Sequence, residues 1–232
     1  MNDIRADQKP CRYRLVCIRH AKPQLEQSER MDSSQFLNWI KRYDEAGIHI
    51  ETVPNTGLID ALTQIQLMVH SPLPRAKQTA DTLNHHIRMT TGSDLGPEQI
   101  SDARYIEAPL PVYTLPRWLK FPASHWAVIY RLGWIMQIRK GHTCWYEIET
   151  LKETRQRAMD GVLHLEKLMN CLPVRHPHDP VIEAALVSHG LFLHELDKAL
   201  LKKGWECIEM KNPRSCLGYR IYEKQVEESL GC

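Results

Sequence analysis

Three short apolar runs, each ending abruptly on polar residues, constrain this chain more than any other feature. They are "RYRLVCI" at 12–18, "IQLMVH" at 65–70 and "EAALVS" at 183–188. Each is too short for an independent helix, is bounded by a polar turn, and reads as a buried strand. The second run leads into "SPLPRAKQTADTLNHHI", a helix with Ser71 as its N-cap and Pro72 or Pro74 in its first turn. The third leads into "HGLFLHELDKALLKKG", a helix with an apolar stripe through Leu191, Leu193, Leu196 and Leu200 and with Gly204 as its stop. "CLGYRIYEK", 216–224, predicts a last strand.

Strand, short loop and helix recur at least three times. That order predicts an α/β fold, a three-layer α/β/α sandwich with a mostly parallel central sheet. "MTTGSDLGPEQ" at 89–99 and the proline-rich "CLPVRHPHDP" at 171–180 read as loops. Residues 105–150 break the alternation, and eight of the seventeen aromatics lie within 113–146 alone, enough to need burial of their own. Trp126, Tyr130 and Trp134 recur at helical spacing, so this stretch is expected to be a helical, aromatic-rich insertion lying against the sheet. With 232 residues, 43% of them hydrophobic, the chain is expected to form one catalytic domain over 1–232, with the insertion at about 105–150.

The totals exclude several function classes. A formal net charge of +2 gives no general electrostatic grip on nucleic acid. No apolar run has the length a bilayer span requires, so no membrane partner is expected. The charged start "MNDIRADQKPCRYR" is unlike a secretory signal. Seven scattered cysteines without a C-x-x-C argue against a disulfide framework or zinc site, and fit reduced thiols in a cytoplasmic protein. Cys17, inside the first run, reads as a small core residue. His85-His86 and the His176, His178, Asp179 trio read as structural or solvated rather than metal-binding.

In parallel sheets ligands bind beyond the carboxyl ends of the strands. The residues there are Arg19 and His20 after the first run, Ser71 and Arg75 after the second, and His189 and Gly190 after the third. Two arginine forks, two imidazoles and a helix N-terminus brought to one edge match a phosphate dianion. Spacing alone predicts an anion site and no more.

These stretches resemble a known family. "IRHAKP" looks like the Arg-His-Gly signature of the histidine phosphatase superfamily, which includes the phosphoglycerate mutases. "SPLPRAKQTA" is similar to its second arginine motif, and "LVSHG" to its second histidine motif. The three fall in the family's order across residues 15–204. A shorter match, "ARYIEAPLP" at 103–111, resembles the segment carrying the family's proton donor and offers Glu107, with Glu98 and Glu147 as competitors. The resemblance implies a phosphatase that hydrolyses a phosphate monoester through a phosphohistidine on His20. Glu107 would be the second catalytic group, and Arg19, Arg75 and His189 would bind phosphate. It implies no metal and no cofactor, and a small-molecule phosphate ester or a phosphoprotein as substrate.

Two departures stand out. Ala21 replaces the usual glycine, so its backbone must take an ordinary conformation. The asparagine of the mutase branch is missing, with Gln24 and Gln27 the nearest amides. That weighs against the first alternative, a phosphoglycerate-mutase-type phosphotransferase. The second alternative is a non-catalytic phosphate- or phosphopeptide-binding module. Part of 113–146, with Arg117, Lys120, Arg131, Arg139 and Lys140 among its aromatics, reads either as a lid over the phosphate or as a helix burying Trp126, Tyr130 and Trp134 in the core.

Overall fold

The computed structural model describes residues 11–25, 30–136, 148–174 and 180–226. Six strands form one sheet: β1 (Cys11–Arg19), β2 (Leu67–His70), β3 (Glu98–Ser101), β4 (Val181–Ser188), β5 (Glu206–Lys211) and β6 (Tyr219–Val226), in the order β3-β2-β4-β1-β6-β5. β1 pairs parallel with β4, and β4 and β3 pair parallel with β2. β6 runs antiparallel to both β1 and β5, so it alone is reversed in a mostly parallel sheet.

The central strands alternate between two cores, as a period of two side chains requires. On one face Leu15, Cys17, Leu67, Val69, Ala184 and Leu186 pack with α5 (Leu151–Asn170) and α6 (Gly190–Lys202). On the other, Val16, Ile18, Met68, Ala185 and Val187 pack with α2 (Thr56–Leu62) and α3 (Pro74–Thr91). The three layers follow. Full burial on both faces explains why these strands read as continuous apolar runs. Cys17 lies in the first core, and burial pushes its thiol pKa far up, which keeps it inert.

Three details correct the sequence reading. Ser71 does not cap α3: the N-cap is Leu73, without a side-chain bond, and Pro74 starts the helix. Proline has no N–H to satisfy at that position, so the helix can begin there unaided. The 89–99 stretch is not all loop. α3 runs on to Thr91, where Gly92 in the left-handed conformation ends it, and β3 begins at Glu98. The aromatic insertion does not rest on the sheet. Its helix α4 (Ala123–Ile135) packs on α1 (Ser33–Glu45), where Trp126 and Tyr130 join Met31, Phe36 and Val112 in a third core. Tyr130 stacks on Trp126 at 5.2 Å and on Phe36 at 5.5 Å, so flat ring faces select another helix over the pleated sheet.

Candidate active site

Parallel pairing aligns the ends of β1, β4 and β2. Arg19 is opposite Ser188, and His70 is opposite Val187. The residues that follow must therefore meet, and the structure brings Arg19, His20, Ser71, Arg75 and His189 to this edge. The His20 and His189 rings lie 5.1 Å apart between centroids.

His20 is almost wholly buried, at 1% exposure, and its Nδ1 lies 2.7 Å from the Ala21 carbonyl oxygen. A carbonyl only accepts, so Nδ1 carries the proton and Nε2 keeps its lone pair. Burial above all, with the Arg75 and Arg19 charges adding to it, holds the His20 pKa down to about 3 against the opposing pull of the Ala21 bond. The loop after His20 is tied down too. The Ala21 N–H donates to Thr79 Oγ1 at 2.9 Å, and that hydroxyl donates to the Arg75 carbonyl at 2.6 Å. The non-glycine residues with positive φ among those described are Asn212 and Leu217, so Ala21 adopts ordinary backbone angles.

His189 is the N-cap position of α6, and its Nε2 lies 2.8 Å from Ser71 Oγ. Its buried Nδ1 has no partner among the described residues, and it carries the proton where the Ser71 hydroxyl donates to Nε2. Burial, then Arg75, His20 and Arg19, hold this imidazole neutral too. Ser71 is thus a site residue rather than a helix cap.

Arg75 is buried to 1% exposure on the first turn of α3. Its Nη1 donates to the Tyr43 carbonyl at 3.0 Å, its Nη2 approaches Asp44 Oδ1 at 3.3 Å, and its guanidinium lies 4.4 Å from the centre of the Tyr43 ring. Tyr43 and Asp44 close the last turn of α1. Arg19 donates from Nη1 to the Arg214 carbonyl, in the turn between β5 and β6. A β-carbon added to Gly190 would sit 3.2 Å from Arg19 Nε, so the bare glycine backbone leaves room for the guanidinium at the start of α6. The Nε atoms of Arg19 and Arg75 are both buried without a partner among the described residues.

Glu107 follows a 3-10 turn at Ala103–Tyr105, beside the same helix end. Its Oε1 accepts from the Phe192 N–H and the Ala108 N–H, each at 3.0 Å. Neighbouring groups fix this loop. Ser188 Oγ donates to the Tyr105 carbonyl at 2.7 Å, and Arg157 donates to the carbonyls of Arg104 and Ile106 at 2.7 and 3.0 Å. Arg131 of α4 donates to the Pro109 carbonyl at 2.8 Å. Of the competing carboxylates, Glu98 lies exposed on the edge strand β3, away from this cluster in the sheet order, and Glu147 is outside the described residues. Gln24 is exposed, and Gln27 is outside the described residues.

The insertion divides. Trp126, Tyr130 and Trp134 are buried, as the core alternative required, whereas Trp118 is 78% exposed. Arg117 and Lys120 are exposed, and Arg131 is turned to the Glu107 loop. Arg139, Lys140, His176, His178 and Asp179 lie outside the described residues. No helix of the described residues is long and apolar enough to cross a membrane.

Comparison with known proteins gives a fold. No family model matches the chain. No curated protein matches it by search either. Among solved structures, phosphoglycerate mutase from Bacillus anthracis str. Sterne is similar over 96% of this chain and 94% of its own, with a TM-score of 0.56 and 12% identity. Phosphoserine phosphatase from Entamoeba histolytica, solved in complex with phosphoserine, matches over 90% of this chain and 89% of its own at a TM-score of 0.47 and 13% identity. A mycobacterial glucosyl-3-phosphoglycerate phosphatase covers 82% of this chain and 79% of its own at 0.42 and 20%. Phosphatases and mutases both occur among the structural neighbours, and the chain has the phosphoglycerate mutase-like fold.

Proposed function

We propose that this phosphoglycerate mutase-like fold carries a phosphomonoesterase of the histidine phosphatase type, working through a phosphohistidine on His20. The observation behind the reading is a neutral imidazole whose Nε2 lone pair is free, set among buried polar atoms that lack partners among the described residues. A buried polar group left unsatisfied costs about 1–3 kcal/mol, so Arg19 Nε, Arg75 Nε and His189 Nδ1 together favour an occupant with several acceptor oxygens. A phosphoryl group offers three.

In the first step His20 Nε2 attacks phosphorus, the P–O ester bond breaks, and the departing alcohol oxygen takes a proton from an acid. Arg19, Arg75 and His189 stabilise the charge on the equatorial oxygens. In the second step water loses a proton to the same acid–base group, its oxygen bonds to phosphorus, and the P–N bond breaks to restore His20. Glu107 is the acid–base group in this reading, with its position set by Phe192 N–H and Ala108 N–H. Splitting one displacement into two is covalent catalysis.

The test is a panel of phosphate monoesters scored by phosphate release, on the wild type and on His20→Ala. We expect turnover in the wild type alone, with a base-stable, acid-labile phosphoryl adduct on His20. An adduct on His189 or a serine would refute the nucleophile. Transfer of the phosphoryl group between substrate hydroxyls in preference to water would identify a mutase. Tight phosphate binding without hydrolysis of any ester would identify a binding module.

A further inference from the structure

The end of α1 places a carboxylate at the phosphate site that no motif of the sequence announces. Asp44 Oδ1 lies 3.3 Å from Arg75 Nη2, and the Asp44 side chain is 51% exposed while Arg75 is 1% exposed. Asp44 is therefore at the rim, with the arginine beneath it. The Tyr43 carbonyl takes Nη1 and the Tyr43 ring covers one guanidinium face, which leaves the unpartnered Nε edge for a ligand. Glu107 and Glu45 both lie within electrostatic reach of Asp44.

Among the described residues, the cations that act on this cluster include Arg19, Arg131 and Arg157. Arg19 is a phosphate ligand in the reading above. Arg131 turns its guanidinium to the Ala108 and Pro109 carbonyls, and Arg157 forms a two-pronged pair with Glu149, with bonds of 2.8 Å. Asp44 thus offsets part of the charge of Arg75 before any ligand enters. A phosphate dianion bound by Arg19 and Arg75 takes up the charge of those two arginines and leaves Asp44 uncompensated beside it.

Building on the proposed activity, we infer that the protein selects phosphate monoesters by the charge on their alcohol. Asp44 favours an amino-alcohol phosphate and disfavours an ester whose alcohol bears a carboxylate. An ammonium near Asp44 restores the balance that the dianion upsets, and a carboxylate adds like charge. Partial exposure screens the effect, so it weakens as salt rises.

The experiment compares phosphoethanolamine, glycerol 3-phosphate and 3-phosphoglycerate, by kcat/KM and by calorimetric binding, in the wild type, Asp44→Asn and Asp44→Glu. Nitrophenyl phosphate serves as the reference for turnover. We expect the wild type to rank the cationic ester first and the acidic one last. Asp44→Asn, which keeps an acceptor for Arg75, should reduce the ratio of cationic to acidic ester about tenfold at low salt, an effect of roughly 1.4 kcal/mol. Asp44→Glu should restore the ranking. A ratio unmoved in Asp44→Asn while nitrophenyl phosphate is still hydrolysed, or a wild type that prefers 3-phosphoglycerate, would overturn the inference and leave the phosphatase reading intact. If no ester is hydrolysed, the phosphatase reading fails, and the ranking of calorimetric affinities in the same three proteins still decides the charge selection.

Discussion

Replacing His20 by asparagine should change how stability responds to acid, by an amount the structure sets. His20 has an ordinary pKa of 6.5 in the unfolded chain and about 3 in the fold, chiefly because it is buried and secondarily because Arg75 and Arg19 are near. Between these values the unfolded state binds the proton and the folded state does not. By linkage, stability is then complete above pH 6.5, falls progressively as pH drops, and levels off below the folded pKa. From this residue alone the loss is about 2 kcal/mol at pH 5 and about 3 kcal/mol at pH 4, at 1.36 kcal/mol per pH unit. Asparagine can donate its amide N–H to the Ala21 carbonyl as Nδ1 does, but it binds no proton. Urea unfolding of both proteins at several values between pH 8 and pH 4 measures the difference, in which the carboxylates common to both cancel. The wild type should fall more steeply than His20→Asn by about those amounts, while His189, also held neutral, keeps some slope in each. Parallel curves would mean that His20 titrates alike in both states and that the fold does not hold it neutral.

Gly190→Ala would press a methyl group on Arg19 Nε, 3.2 Å away, and should weaken phosphate binding several-fold in competition assays with little change in melting temperature. Trp126→Ala should lower stability by about 3–5 kcal/mol in chemical denaturation, because it empties a fully buried ring from the third core, whereas exposed Trp118→Ala should change it by less than about 0.5 kcal/mol. Glu107→Gln should cripple hydrolysis of alkyl phosphates and spare a nitrophenyl ester, whose phenolate leaves without a proton; equal loss on both would assign Glu107 to binding or folding.

The sheet was readable where burial is two-sided. β1, β2 and β4 are apolar on both faces because a helical layer covers each, so their runs stand out in the sequence. β3 and β5 are edge strands, with burial patterns that are exposed or intermediate throughout, and "EQIS" and "ECIEMK" carry no such run. The helix α5 is hard to see in the sequence for a related reason. It shows the sheet Ala158, Val162, Leu165 and Met169 at helical spacing among many charged residues, a narrow stripe that a search for strands passes over. The insertion was read correctly as needing burial and wrongly as needing the sheet, because its partner Phe36 sits on a helix whose only buried residues are Ser33 and Phe36.

The site separates along the same line. Arg19, His20, Arg75 and His189 follow strands or open helices in the chain, so topology alone brings them together once the strands are parallel. Asp44 reaches the site by another route. Its position depends on α1 being held across the strand ends, and α1 is held by rings: Trp126 on Tyr130, Tyr130 on Phe36, Phe36 on Trp39, Trp39 on Tyr43, and Tyr43 on Arg75. Each step lies within stacking or cation–π range, so the insertion's core and Arg75 are joined by one continuous stack. A pattern search along the chain sees these as scattered aromatics, since the stack threads α4, α1 and α3 out of sequence order. It follows that the described part of the aromatic segment, through Trp126 and Tyr130, supports the end of α1 where Tyr43 and Asp44 meet Arg75. Residues that shape the alcohol's environment are then to be sought at the end of α1, where the chain shows no motif.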